Sequence, residues 1–175
     1  IERRGLFATA LEAHERTLVL HDLFRDALQQ RLRRLQPERW VPLLQRAAAA
    51  TPDPIRRVGF LHQAQDWAGA ERELAEAAPM LFVRGGVGDV QRLVAEFDPA
   101  WCAASATLQR LLGTAALLRW DWEASARHSQ AAIAAAVANG NPGERHLAQA
   151  YLATALYPLD RNDESERLIA ELNAQ

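Results

Sequence analysis

Three stretches of this chain repeat one another, and the repetition limits the folds open to it. Asp66-Trp67-Ala68-Gly69-Ala70-Glu71-Arg72, Asp121-Trp122-Glu123-Ala124-Ser125-Ala126-Arg127 and Arg161-Asn162-Asp163-Glu164-Ser165-Glu166-Arg167 align without gaps, at offsets of 55 and 40 residues. Each carries a small residue at its fifth place (Ala70, Ser125, Ser165) and an arginine at its seventh (Arg72, Arg127, Arg167). Each follows one helical stretch across a short polar break and opens another. A small residue early in the second helix lets it approach the first, and an apolar or aromatic residue at the turn closes the pair. The repetition therefore predicts antiparallel helical hairpins stacked along the chain. The larger offset leaves room for one extra helix.

Apolar periodicity fills in the elements. Leu23, Phe24, Ala27, Leu28, Leu32 and Leu35 share one face of a helix from Asp22 to Leu35. A second helix opens at Pro37 and runs to about Ala50, with Pro42 in its early turns. Thr51-Pro52-Asp53-Pro54 is a break. Beyond it the chain reads as helices at 55–65, 68–83, 87–97, 99–119, 122–138, 143–157 and 163–173, with a kink or early stop allowed at Pro79. Upstream, residues 6–11 and 16–20 read as short strands around the polar Glu12-Ala13-His14-Glu15. The expected fold is all-α, antiparallel helical hairpin repeats with a small N-terminal β-hairpin. The repeats resemble a tetratricopeptide α-solenoid: Val58, Leu61, Ala70, Leu74 and Ala77 take its apolar and small places, as do Ala153, Leu156, Ser165, Ile169 and Leu172. The middle repeat, around Leu112, Gly113 and Ala116, reads with a turn one residue shorter.

Composition narrows the chemistry. All 20 basic residues are arginine. Without lysine there is no Schiff base and no Walker A phosphate loop, and Gly85-Gly86-Val87-Gly88-Asp89 is a turn. The net charge of −2 gives no global pull towards nucleic acid or membrane. The single cysteine, Cys102, rules out an internal disulfide and suits a reducing cytoplasm. No apolar run reaches the roughly 20 residues of a membrane span. The start at Ile1 suggests a stretch of a longer protein.

The run Leu18-Val19-Leu20-His21-Asp22-Leu23-Phe24-Arg25-Asp26-Ala27-Leu28 resembles the end of the ATPase module in MalT-type regulators of the LuxR family. His62-Gln63-Ala64-Gln65-Asp66-Trp67-Ala68 and Ala77-Ala78-Pro79-Met80-Leu81-Phe82-Val83-Arg84-Gly85 resemble the start of the helical region that follows it. The likeness is strongest over residues 5–100. It implies the end of a winged-helix subdomain at 1–36 and a repeat region at 37–175 that senses a small-molecule inducer or a regulatory protein. It also implies a nucleotide-binding module and a DNA-binding C-terminal module outside these residues, and self-association in the active state. ATP or ADP would belong to the intact protein, with His21 and Asp22 contacting its phosphates; for these residues alone no cofactor is expected. A helix start suits an anion, while the plainer reading makes Asp22 an N-cap.

The remaining candidates are weighed singly. Trp67, Trp120 and Trp122 sit at hairpin turns, where they would stack on a ligand or close the hairpin by packing. Trp40 and Trp101 read as interhelix anchors. Arg31, Arg33, Arg34 and Arg39 form a basic cluster beside Trp40, which reads as a solvated face or a protein contact rather than a nucleic-acid site. His62, His128 and His146 lack partners at metal-ligand spacing, so no metal is expected. No carboxylate pair presents itself for acid–base work, and no catalytic residue is expected. The expected role is effector or partner sensing. Its rival is a scaffold that takes a peptide or helix in a concave groove.

Overall fold

The computed structural model describes residues 8–10, 18–20 and 22–174, with side chains from residue 23 onward. Ten α-helices dominate the described residues: α1 (Asp22–Leu35), α2 (Pro37–Ala50), α3 (Pro54–Gln63), α4 (Trp67–Val83), α5 (Val87–Ala95), α6 (Pro99–Ala104), α7 (Ala106–Leu117), α8 (Trp122–Ala138), α9 (Pro142–Leu156) and α10 (Asn162–Asn173). None is long and apolar enough to cross a membrane. The chain divides into two compact units, Ile1–Arg46 and Ala47–Gln175.

In the first unit, β1 (Ala8–Ala10) and β2 (Leu18–Leu20) pair antiparallel, with Ala8 opposite Leu20 and Thr9 opposite Val19. The turn expected between them lies outside the described residues. Both helices keep the bounds read from the sequence. The arginine cluster is used partly at their junction: the Arg33 guanidinium sits 4.1 Å from the centre of the Trp40 ring, a cation–π contact, and Arg39 donates to the Gln36 amide oxygen at 2.9 Å.

In the second unit neighbouring helices pack as adjacent pairs, α3 with α4, α7 with α8, α8 with α9 and α9 with α10. One device makes five of the turns. A residue with positive φ ends the helix: Gln65, Gly85, Trp120, Gly140 or Asp160. The amide of the next residue then reaches back to a carbonyl in the last turn, as in Asp66 to Leu61 at 3.0 Å, Gly86 to Leu81 at 2.8 Å, Asp121 to Ala116 at 3.0 Å, Asn141 to Ala136 at 2.9 Å and Arg161 to Leu156 at 3.2 Å. This is the Schellman closure, which satisfies carbonyls a helix end leaves orphaned. At three turns the residue that closes one helix also caps the next: Asp66, Asp121 and Asn141 accept from the amides of Gly69, Ala124 and Glu144. The middle repeat's turn is not shorter: four residues, 118–121, separate α7 from α8, against three between α3 and α4. Gly113, rather than Leu112, faces the second helix, where an added Cβ would stand 3.2 Å from the Ser129 hydroxyl.

Two further expectations change. The helix read as 99–119 is two helices, broken at Ser105. Its backbone is extended (φ −87°, ψ 115°), and its hydroxyl accepts from the Leu108 amide as the cap of α7. Pro79 neither stops nor shortens α4, which runs on to Val83. Its ring lies on the exposed side, where water can serve the carbonyl its missing N–H leaves free.

Val58, Leu61, Leu74, Val90, Leu93, Leu108 and Leu111 are buried in one core. Beyond it the helices meet through small side chains: Ala126 and Ala155 with Leu152 and Leu156, and Ala106 with Ala135 and Ala136. All three small residues of the repeated junction are buried, Ala70 and Ser125 fully and Ser165 to 3% exposure. Ser165 donates its hydroxyl to the Ala153 carbonyl at 2.8 Å. The Ser125 hydroxyl is buried with no partner among the described residues.

Two histidines are also enclosed. His62 stands edge-on to Phe97 at 4.4 Å and lies 5.8 Å from Trp67. Its Nδ1–H donates to Glu96 at 3.2 Å, while Nε2 is buried without a partner among the described residues. Burial lowers its pKa, although Glu96 pulls the other way. His128 donates from Nδ1 to the Gln109 amide oxygen at 3.0 Å, and burial lowers its pKa too.

Two outcomes follow from this packing. Ser165→Ala should cost about 0.5–1.5 kcal/mol, a buried hydrogen bond, whereas Ser125→Ala should be neutral or gain up to about 1 kcal/mol by removing an unpaired hydroxyl. Urea denaturation of the two variants measures the contrast, and equal losses would contradict it. The unfolded chain takes up protons at His62 and His128 below their ordinary value of 6.5, before the folded chain does. Their contribution is thus intact above that pH and is lost as pH falls below it. Melting curves from about pH 7.5 to 5.5 should show the decline, and His62→Gln should flatten it. A slope unchanged in that variant would remove His62 as a cause.

Candidate functional site

The helix break at Ser105 opens a cleft of about 310 Å³ in the second unit. Its walls come from different hairpins. Glu71 stands on α4 and Trp101 on α6. Ser105 and Thr107 lie at the start of α7, and Asn139 and Asn141 flank the α8–α9 turn. Glu71 holds the break in place: its carboxylate accepts from the Trp101 indole N–H at 2.7 Å and from the Ser105 hydroxyl at 2.8 Å. Asn139 donates to the Ala104 carbonyl at 3.0 Å and ties the end of α8 to the end of α6. Asn141 is occupied as the cap of α9. Behind the cleft, Glu144 takes Arg110 in a two-pronged ion pair at 2.6 and 3.2 Å, with both side chains about 15% exposed, and accepts from Thr107 at 3.2 Å. Trp101 remains 37% exposed. Neighbouring Cys102 is half-buried, and its thiol pKa is raised by burial first and by the Glu71 charge second, so it keeps its proton. The cleft offers one fixed carboxylate, two amides, two hydroxyls and an indole.

A second opening, a groove of about 490 Å³, runs along α9 and α10. Trp122, Ala150, Ala153, Thr154, Tyr157, Ile169 and Leu172 line it. The 40-residue repeat shows what such a groove normally holds. One repeat earlier Gly113, Thr114, Ser129 and Ala132 stand at the places of Ala153, Thr154, Ile169 and Leu172; all four are buried, and there a further helix, α9, packs on α7 and α8. Ile169 is 48% exposed and Tyr157 71%.

The expected site residues fall in separate places. His21 lies outside the described residues, and of Asp22 only the backbone is described, as the first residue of α1. Trp67 is half-buried against Phe97 at 5.9 Å and His62 at 5.8 Å, closing its hairpin by packing. Trp120, with φ +63°, is 77% exposed and meets Trp122 edge-on at 5.3 Å. Trp101, expected as an anchor, does bind α6 to α4, and it also lines the cleft. Glu71, Ser105, Asn139 and Asn141 carried no mark as site residues. Ser105 was hidden in the alanine-rich run Cys102-Ala103-Ala104-Ser105-Ala106, which reads as continuous helix.

Residues 1–40 match the family model of the MalT winged helix domain. The chain matched no curated protein and no solved structure. Of the likeness read over residues 5–100, the part to residue 40 is thus supported by the family match: residues 1–40 are similar to the MalT winged helix domain, and the helices beyond them are assigned by no family model.

Proposed function

We propose that the helices after the winged-helix domain are the tetratricopeptide-like sensing region of a MalT-like transcriptional regulator, and that its effector is a small molecule bound in the cleft of Glu71, Trp101 and Asn139. The observation that carries this reading is the cleft's position. Its walls belong to α4, to the α6–α7 break and to the α8–α9 turn, so an occupant touches three separate parts of the helical array. A ligand that prefers one arrangement of those pieces shifts their population, which is all that sensing requires. No catalytic step belongs to this reading. Nucleotide and DNA would be handled by other parts of the regulator, with His21 and Asp22 serving the nucleotide.

The α9–α10 groove favours a second reading, in which a partner contributes a helix. Its lining is mostly apolar, and the equivalent surface one repeat earlier is covered by α9. The two readings differ in which tryptophan senses the ligand. A thermal-shift screen of sugars, amino acids, amines, organic acids and nucleotides should find one class that raises the melting point by roughly 5–11 °C at a hundred times its dissociation constant. The accompanying change in emission should vanish in Trp101→Phe and persist in Trp122→Phe. Loss in Trp122→Phe instead would move the site to the groove, and no shift with any class would count against a small-molecule sensor.

A further inference from the structure

We infer that the cleft selects an organic cation, a small amine or guanidinium on a flat apolar body; this rests on the effector role proposed above for the same cleft. The argument is about charge. Glu71 is the one charged side chain lining the cleft. Its two hydrogen bonds come from neutral donors, the Trp101 indole and the Ser105 hydroxyl. They fix the carboxylate's position without cancelling its charge. A carboxylate has about four acceptor positions, so roughly two stay open. Among the described residues no arginine or histidine pairs with it, although Arg57–Glu73 and Arg110–Glu144 show that half-buried acids in this unit do take arginine partners. Glu144, the acid behind the cleft, is neutralised in that way.

The surrounding helix ends are of both signs and leave Glu71 as the deciding charge. Helices α7 and α9 begin at the cleft, each with one early amide already served, the Leu108 amide by Ser105 and the Glu144 amide by Asn141. The 17-residue helix α8 ends there at Asn139, bringing the partially negative end of its dipole. An anion would meet the fixed negative charge of Glu71 and no cationic side chain among the described residues lining the cleft. An ammonium would find the Glu71 oxygens and, beside them, the exposed part of Trp101, a combination of ion pair and cation–π contact. Ala104 and Ala106 leave room for an apolar body. A volume of 310 Å³ stands at the small end of ligand pockets.

Three probes share one body and differ only in head-group charge: tyramine, tyrosol and 4-hydroxyphenylacetate. Agmatine adds a guanidinium on an aliphatic chain. Titrated into the 175-residue chain and followed by calorimetry and tryptophan emission, tyramine or agmatine should bind at least about tenfold more tightly than tyrosol, with 4-hydroxyphenylacetate weakest. The preference for tyramine over tyrosol should disappear in Glu71→Gln. Salt gives a check on the unaltered chain: raising NaCl from about 0.05 to 0.5 M should weaken the amine and leave tyrosol unchanged. If tyrosol or 4-hydroxyphenylacetate binds as well as tyramine, with Trp101→Phe abolishing the signal, the cation assignment is overturned while the effector cleft stands. If no probe of any charge binds, both are overturned.

Discussion

Close approach of helix to helix through small side chains is the constraint on which the second unit depends. Gly113 lies so near α8 that a single added carbon would crowd the Ser129 hydroxyl. Ser125, Ala126, Ser129, Ala132, Ala135 and Ala136 form the buried side of α8. Surfaces this smooth contribute little transfer energy per residue, so their stability comes from contact density: dispersion falls off steeply once a gap opens. The same tightness leaves polar atoms stranded, as at the Ser125 and Ser129 hydroxyls.

The turns make that closeness repeatable. Each left-handed residue reverses the chain within a few residues, and at Asp66, Asp121 and Asn141 the next residue caps the helix that follows. Glycine fills the left-handed place at Gly85 and Gly140, but Gln65, Trp120 and Asp160 fill it elsewhere. Side chains rarely adopt this conformation, at a cost of about 1–2 kcal/mol. At Trp120 that cost comes with a large exposed ring set against Trp122, an unusual use of a bulky residue at the mouth of an apolar groove.

Where the packing departs from regularity, polar chemistry collects. The chain breaks at Ser105 because Asp98 starts one helix and Ser105 caps the next only a few residues later. The break exposes the carbonyl end of α6 and the indole of Trp101. Glu71 and Asn139 then satisfy what it exposes, and a cleft remains between them. Regular hairpins bury their small residues; the irregular one leaves an uncompensated acid beside a partly open ring.

Helix after helix was legible in the sequence, because amphipathic period, proline and aspartate punctuation act within a few residues of where they stand. The repeated junctions were legible too: Ala70, Ser125 and Ser165 were picked out as the small contact residues, and all three are buried. The lack of lysine excluded amine chemistry before any fold was known. The break at Ser105 and the cleft were not legible. Local propensity favoured one long helix there, and the bonds that decide otherwise join Glu71 to partners 30 and 34 residues away. Sequence determined which stretches are helical and which faces must touch, since those follow from neighbours along the chain. Tertiary structure alone decided where the stack opens and what charge faces the opening, since those depend on which distant side chains the packed helices bring together.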